Sequence, residues 1–205
     1  MITIAVTGGA ACGKSHFCER MLTWAAPGRV SFFSCDAAVS ELYREEETIE
    51  ELKEIAINLN QPELFTGDSL DRALLRELLF ENSAFRGKIE ELVHPKVLRR
   101  VEAHLGALAD EVRLSLVEVP LLYEVDFPVS RNLDLVVGAS ACVQRRRLLE
   151  LRGLAPRVAD RLLRSQLPMA DKVRRADIVV WNDGDLESMD AQISHLFRRC
   201  ENLSN

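Results

Sequence analysis

The sequence has no long hydrophobic run, no C-x-x-C pair and no low-complexity segment. No apolar stretch approaches the ~20 residues of a membrane-spanning helix, and the first residues are typical of a strand rather than of a secretion signal. We therefore expect a cytoplasmic protein with no membrane partner. Five cysteines and four scattered histidines without ligand spacing argue against both a disulfide framework and a zinc site.

The chain also has no net positive charge, since its 32 acidic residues outnumber its 26 lysines and arginines. The charge is uneven, however: between Cys142 and Ala176 lie ten basic and three acidic residues, a net +7, while the remainder carries −13. A local basic segment in an acidic chain favours a small anionic ligand, since duplex nucleic acid requires a broader basic surface. We expect no nucleic-acid partner. A solvated helix face is the competing interpretation for some of these arginines.

The chain does contain a phosphate-binding loop. The residues from Gly8 to Ser15 read Gly-Gly-Ala-Ala-Cys-Gly-Lys-Ser, between the apolar run 2–6 and a helix-like stretch. Gly8 and Gly13 permit positive φ and close backbone approach, so that N–H groups can surround a phosphate at the start of a helix. Lys14 is expected to reach the β- and γ-oxygens, and Ser15 to bind Mg²⁺. This pattern predicts binding of a nucleoside triphosphate.

The fold class follows from five short apolar runs that alternate with helical stretches. Such runs indicate a parallel sheet covered by helices on both faces, which predicts a doubly wound five-stranded α/β fold in a single domain, 1–205. Ligands of such sheets bind at the carboxyl ends of the strands. The runs are Ile2 to Val6, Val30 to Phe33, Leu114 to Val119, Leu133 to Val137 and Ile178 to Trp181.

A helical insert is predicted at residues 41–112, because about eighty residues separate the second and third strands, more than one crossover helix requires. Apolar residues at helical spacing from Ile89 to Leu108 indicate a core-facing helix there. Pro95 removes a backbone donor and disfavours helical geometry at His94, which predicts a kink or a helix junction. That break would turn His94 toward a cleft, although an isolated histidine is also typical of a structural residue.

Five further groups of residues join the phosphate loop in an order that resembles the dephospho-coenzyme A kinase family over most of the chain. They are Asp36 after the second strand, the run 70–76 followed by Phe80, the pair His94-Pro95, the run 119–124 (Val-Pro-Leu-Leu-Tyr-Glu), and the late set Gln166, Pro168, Lys172, Ala176-Asp177 and Asn182. A phosphate loop alone marks many nucleotide-binding proteins, whereas this ordered set is specific.

The resemblance implies transfer of the ATP γ-phosphoryl group to the ribose 3′-hydroxyl of dephospho-CoA with Mg²⁺, the last step of coenzyme A biosynthesis. It also implies a P-loop kinase similar to the nucleoside monophosphate kinases, in which the helical insert binds the CoA moiety and residues 141–172 form a lid. A monomer or a small homo-oligomer is expected.

The predicted nucleotide site combines the phosphate loop with residues near the lid and the last strand. Glu118 is expected to act on Mg²⁺ through water, and Asn182 either binds an adenine edge or is a turn residue before Asp183-Gly184. Arginines of the lid would stabilise the equatorial oxygens of the transferred phosphoryl group. Arg147 and Arg161 are the predicted residues, and Arg145, Arg146 and Arg164 are the alternatives. The nucleotide-binding set is Gly9, Ala10, Ala11, Cys12, Gly13, Lys14, Ser15, His16 and Asn182, the metal ligands are Ser15 and Glu118, and the catalytic lid residues are Arg147 and Arg161.

Asp36 is the predicted catalytic base, because a sugar hydroxyl is a poor nucleophile unless a carboxylate accepts its proton. The competing interpretation makes Asp36 the N-cap of a helix that starts near Ala37. An arginine is also expected to bind the diphosphate of the acceptor. The predicted acceptor-binding set is Asp36, Arg72, Arg76, His94 and Leu121.

Two positions depart from the family pattern, in which both carry aspartate. Ser34 removes a carboxylate, and Glu118 retains one that is a methylene longer. Two rival functions are therefore kept. A kinase for another small alcohol would share the loop and the lid but lack both the pair His94-Pro95 and the run Val119-Pro120-Leu121-Leu122. A nucleotide-binding regulatory module without turnover would fit Ser34 and the replacement of a frequent loop glycine by Ala11.

Overall fold

The computed structural model describes residues 1–203, with side chains to Cys200. The strands are β1 Ile2–Gly8, β2 Val30–Ser34, β3 Phe65–Thr66, β4 Ser69–Leu70, β5 Leu114–Glu118, β6 Leu133–Gly138 and β7 Ile178–Trp181. The helices are α1 Lys14–Trp24, α2 Cys35–Leu42, α3 Glu46–Asn58, α4 Arg72–Glu81, α5 Ser83–Gly106, α6 Ala141–Glu150, α7 Pro156–Arg164, α8 Met169–Arg175 and α9 Leu186–Leu203. The chain forms two compact units, one from residues 1–35 and the chain from Ala103 onward, the other from residues 36–102.

The first unit contains a five-stranded sheet in the order β2-β5-β1-β6-β7, and every pair is parallel. This confirms the predicted doubly wound α/β fold. Strand β1 is central, with β5 and β6 as its neighbours, so the loop that follows it leaves the middle of the carboxyl edge. Residue Glu118 of β5 lies in register with Val6 on one side and with Ser34 on the other.

The core of this unit lies between the sheet and the helices α1 and α9. Strand residues such as Ile4 and Leu135 are fully buried against Phe17 and Met21 of α1 and Ile193 of α9. Each fully buried side chain of this size contributes about 1.5–3 kcal/mol. The packing anchors α1, and with it the phosphate loop, to the face of the sheet.

The second unit is mainly helical and includes a short hairpin that the sequence analysis missed. Strands β3 and β4 have two residues each and pair as Phe65 with Leu70 and Thr66 with Ser69. Gly67 adopts φ +61 in the tight turn between them, a conformation that glycine adopts without steric cost. Two-residue strands are too short to show the alternation by which a strand is predicted.

Of the two alternatives predicted at Pro95, the helix junction is wrong and the kink stays a prediction. Helix α5 runs from Ser83 to Gly106 with Pro95 inside it, although a proline within a helix removes one hydrogen bond and costs about 3 kcal/mol. The apolar face offsets this cost, because Ile89, Val93 and Val97 are all buried. His94 is therefore a half-buried helical residue.

Candidate active site

The phosphate loop, residues 8–15, joins β1 to α1 and depends on two glycines. A Cβ at Gly8 would lie 2.1 Å from the Val137 carbonyl oxygen, and a Cβ at Gly13 would lie 2.5 Å from Asn182 Nδ2. Gly13 also adopts φ +97. Ala11 adopts φ +56, a left-handed conformation that costs a residue with a Cβ roughly 1–2 kcal/mol. The loop therefore holds local strain at the position where glycine is frequent.

Lys14 begins α1 and turns back over the loop. Its Nζ donates to the Gly9 carbonyl oxygen at 3.1 Å, and the side chain is half-buried. The ammonium is thus held above the backbone that the sequence analysis assigns to phosphate binding. A phosphate oxygen at this place would accept from an amine that the fold has already oriented.

Asn182 connects the loop to α6, a contact that the sequence analysis missed. The side chain is 5% exposed. Its Nδ2 donates to the Cys12 carbonyl oxygen at 2.8 Å, and its Oδ1 accepts from Arg147 Nη2 at 3.2 Å. Arg147 Nη1 also donates to the Ala11 carbonyl oxygen at 3.4 Å. The structure therefore brings Asn182 and Arg147 together at the loop, while the predicted adenine contact of Asn182 stays a prediction.

The segment proposed as the lid contributes more than Arg147 to the loop. Ala10 is buried with Leu148 of α6 and Ala159 of α7, and its backbone N–H donates to Gln166 Oε1 at 2.9 Å. These contacts pack one side of the loop against the α6–α7 hairpin.

The other arginines of this segment lie in different surroundings. Arg145 forms an ion pair with Asp160 at 2.6 Å, so its guanidinium is occupied between α6 and α7. Arg161 is exposed on α7. The predicted contribution of Arg161 to catalysis stays a prediction.

Glu118 is buried at the carboxyl end of β5 and is 8% exposed. Ser34 Oγ donates to its Oε2 at 3.1 Å, so the two departures from the family pattern are direct partners. Burial, with the Glu118 carboxylate as a second cause, raises the pKa of the Cys18 thiol to about 12. The charge of the Glu118 carboxylate therefore acts on a thiol of α1.

Cys12, within the loop, is fully buried. Burial raises the pKa of its thiol, and a buried thiol with a raised pKa is a poor nucleophile at neutral pH. Any contact of Cys12 with the nucleotide would therefore be made by its backbone and not by its thiol.

His16 directs its ring to α9 rather than over the loop. Its Nε2 lies 2.8 Å from Asp190 Oδ1, and Arg20 Nη2 lies 2.7 Å from Asp190 Oδ2. The imidazole therefore helps to hold α1 against α9, and a nucleotide contact by His16 would come from its backbone.

Most of the predicted acceptor-binding residues lie in the second unit. Arg72 and Arg76 are exposed on α4, whose N-cap is Asp71, with its carboxylate accepting from the N–H groups of residues 73 and 74. His94 lies on α5, and Asp36 lies in the first turn of α2. Leu121 follows β5 in the first unit and is exposed. The binding roles of these five side chains stay predictions.

The alternative N-cap role of Asp36 is wrong. Helix α2 begins at Cys35, and an N-cap residue precedes the first helical residue. Its carboxylate instead lies in the first turn, where a negative charge interacts favourably with the helix dipole.

A family model described as dephospho-CoA kinase matches residues 2–188. The chain belongs to the dephospho-CoA kinase family. A dephospho-CoA kinase of Anaeromyxobacter dehalogenans is 34% identical over 197 residues, which cover 96% of this chain and 90% of that protein. The crystal structure of a Thermus thermophilus protein has a TM-score of 0.80 at 28% identity and covers 97% of both chains. A dephospho-CoA kinase from Campylobacter jejuni, 22% identical over 97% of this chain and 96% of its own, shares the fold with a TM-score of 0.63.

Membership in the dephospho-CoA kinase family confirms the resemblance and the enzyme class. It favours neither the kinase for another small alcohol nor the regulatory module without turnover. The matched range includes the phosphate loop, the pair His94-Pro95 and the run 119–124. No helix within residues 1–203 is long and apolar enough to cross a membrane. Across the described residues, no group of three or more His, Cys, Asp or Glu side chains is arranged to hold a metal ion.

Proposed function

We propose that this chain transfers the γ-phosphoryl group of ATP to the 3′-hydroxyl of dephospho-CoA, giving CoA and ADP. The observation that carries the proposal is the dephospho-CoA kinase match over residues 2–188, which includes the phosphate loop at the centre of the carboxyl edge. In the cell we place this reaction in the cytoplasm, and the enzyme acts as a monomer or a small homo-oligomer.

The phosphate loop binds and orients the triphosphate. Its N–H groups surround the β-phosphate at the start of α1, and Lys14 moves from the Gly9 carbonyl to the β- and γ-oxygens. Arg147, held at the loop by Asn182, donates to the equatorial oxygens of the transferred group. These donors stabilise charge that spreads over the three oxygens in the transition state.

Asp36 accepts the proton of the 3′-hydroxyl. A bond forms between the 3′-oxygen and the γ-phosphorus while the bond from that phosphorus to the bridging oxygen of ADP breaks. The proton passes to the Asp36 carboxylate, and the electron pair of the broken bond stays on ADP. Arg72, Arg76 and His94 bind the acceptor, and residues 141–172 close over the phosphates.

Ser15 and Glu118 fit a magnesium ion. Mg²⁺ prefers oxygen ligands and usually keeps several waters, so one hydroxyl and one carboxylate would suffice without a protein cage. A bound Mg²⁺ would supply positive charge that offsets the negative charge of the triphosphate. Ser34, by donating to Glu118 Oε2, orients the carboxylate for a water-mediated contact.

Glu118→Gln is expected to raise the Mg²⁺ concentration required for half-maximal activity by about 10- to 100-fold, the scale of losing an outer-shell metal partner. The amide keeps the size of the side chain but loses the charge. Mn²⁺ binding to the nucleotide complex, followed by electron paramagnetic resonance, gives a second readout. Ser34→Ala is the matched control and should shift the requirement less. Parent-like metal dependence in Glu118→Gln would exclude Glu118 from the metal site.

The proposed reaction is tested by incubating the purified chain with MgATP and dephospho-CoA. We expect a product one phosphate heavier, which a 3′-nucleotidase returns to dephospho-CoA. Absence of this product together with rapid phosphorylation of a nucleoside or a nucleoside monophosphate would overturn the proposal. The same assay with GTP in place of ATP determines the donor preference.

A further inference from the structure

Lys172, on α8, is a fully buried cation close to the proposed site. Its side chain is 0% exposed, and its Nζ lies 2.7 Å from Glu124 Oε1. Nζ also donates to the carbonyl oxygens of Pro120 at 3.4 Å and Gly8 at 3.5 Å. An ammonium has three N–H donors, so the three acceptors match its full capacity.

The two carbonyl groups belong to the ends of neighbouring strands. Gly8 is the first residue of the phosphate loop, and Pro120 lies just beyond β5, two residues after Glu118. Thr7 Oγ1 donates to the same Pro120 oxygen at 3.2 Å. Lys172 therefore ties the start of the loop to the strand that carries the proposed metal-binding carboxylate.

Glu124 extends the connection to the other side of the loop. Its Oε1 also accepts from the backbone N–H of Leu167 at 2.9 Å. The preceding residue, Gln166, accepts from the Ala10 N–H. Lys172 thus contacts Gly8 directly. Glu124 holds the backbone of Leu167, next to the Gln166 side chain that accepts from Ala10.

Packing alone does not account for this pair. Taking two charges out of water is costly, and apolar residues of similar volume often stabilise a protein as well or better. Glu124 Oε2 is also buried without a hydrogen-bond partner among the described residues, a further cost to stability. Buried charged pairs can fix one specific geometry at the expense of stability.

We propose that Lys172 and Glu124 are a positioning pair that sets the phosphate loop relative to the end of β5. The pair touches neither substrate, and it acts by fixing the Gly8 and Pro120 carbonyl groups. This inference rests on the proposed kinase function. Its consequence is that loss of the pair lowers kcat even in an enzyme that is fully folded.

The test compares Lys172→Met, Glu124→Gln and the double variant Lys172→Met/Glu124→Gln. Either single substitution leaves one buried group without its partner and is expected to lower the midpoint of thermal unfolding. The double variant has no uncompensated charge and should regain that midpoint. It still lacks the donors to Gly8 and Pro120, so its kcat should stay about 10- to 100-fold below the parent value, the scale of a small misplacement of reacting groups.

The matched control is Arg131→Met/Asp134→Asn, which removes a half-buried ion pair of the same unit. Asp134 lies at the beginning of β6, and the amino ends of parallel strands are opposite the edge that carries the loop. We expect kcat of this folded control to remain within about twofold of the parent, because it moves no reacting group. All rates are measured at a temperature at which circular dichroism shows the variants to be folded.

Amide hydrogen exchange provides a second measurement. If the pair only stabilised the fold, its loss would not change the exchange rates of the loop amides specifically. Glu124→Gln keeps the size of the side chain, so it serves even if the double variant does not fold. In Glu124→Gln we expect faster exchange of the loop amides, residues 9–13, and a lower kcat, with parent-like exchange in β6. Recovery of kcat together with stability in the double variant, or parent-like loop exchange and kcat in Glu124→Gln, would overturn the positioning role.

These outcomes are separable from failure of the proposed function. If the parent and the control both fail to phosphorylate dephospho-CoA, the proposed function is wrong. The exchange of residues 9–13 still decides whether the pair orders the loop.

Discussion

Asp36→Asn is expected to slow the chemical step by about 10²- to 10⁴-fold, the usual contribution of a general base, while ATP affinity stays near the parent value. The reason is that the amide cannot accept the proton of the 3′-hydroxyl, whereas the phosphate loop is unchanged. Single-turnover phosphoryl transfer measures the step directly, and equilibrium titration with ATP measures the affinity.

Asp71→Asn is the matched control for Asp36→Asn. Asp71 is an observed N-cap, with its carboxylate accepting from two backbone N–H groups of α4, and asparagine caps a helix about as well as aspartate. The control should therefore keep both its unfolding midpoint and its rate. Transfer by Asp36→Asn within a few-fold of the parent would mean that the carboxylate is structural and that the proton leaves by another route. Ser34 is no substitute as a base, so little rescue is expected from the neighbouring strand end.

Lys14→Ala is expected to lower kcat by about 10²-fold or more, on the scale of a lost transition-state donor, and to leave the fold intact. The variant removes the cation that Gly9 now orients, but the buried core between the sheet, α1 and α9 does not include it. Steady-state kinetics measures the loss of kcat, and circular dichroism shows whether the fold is intact.

Lys53→Ala serves as the control for Lys14→Ala. Lys53 is paired on the surface of the second unit with the exposed Asp68, and a solvent-exposed pair of this kind adds little to stability. Its loss should leave kcat near the parent value. A Lys14→Ala enzyme that unfolds, or that keeps a near-normal kcat, would contradict the assigned role.

The predictable parts of this protein are those that a short stretch of sequence determines. The phosphate loop needs only its own glycines, Lys14 and the strand and helix beside it. The five strands of the parallel sheet are recognisable in the sequence as apolar runs, since both faces of such a sheet are buried. Family membership was likewise accessible, because ordered motifs survive in the sequence even where spatial contacts are unknown.

Pro95 and the hairpin at Gly67 show where local reasoning failed. Proline has a known local cost, but the buried face of α5 outweighs it, and that face is a property of the packed unit. The hairpin has two residues in each strand, too few for a pattern. In both cases the local signal was weaker than the packing or the turn geometry that determines the structure.

The sequence by itself determined the family, the parallel α/β sheet and the position of the phosphate loop directly after the first strand. Only the tertiary structure decided which side chains meet there: Asn182 with the Cys12 carbonyl, Ser34 with Glu118, and Lys172 with Glu124 and the Gly8 carbonyl. These partners lie 48 to 170 residues apart in the chain. Helical and strand periodicities relate residues only a few positions apart, whereas such contacts arise when parallel strands bring their carboxyl ends to one edge of the sheet.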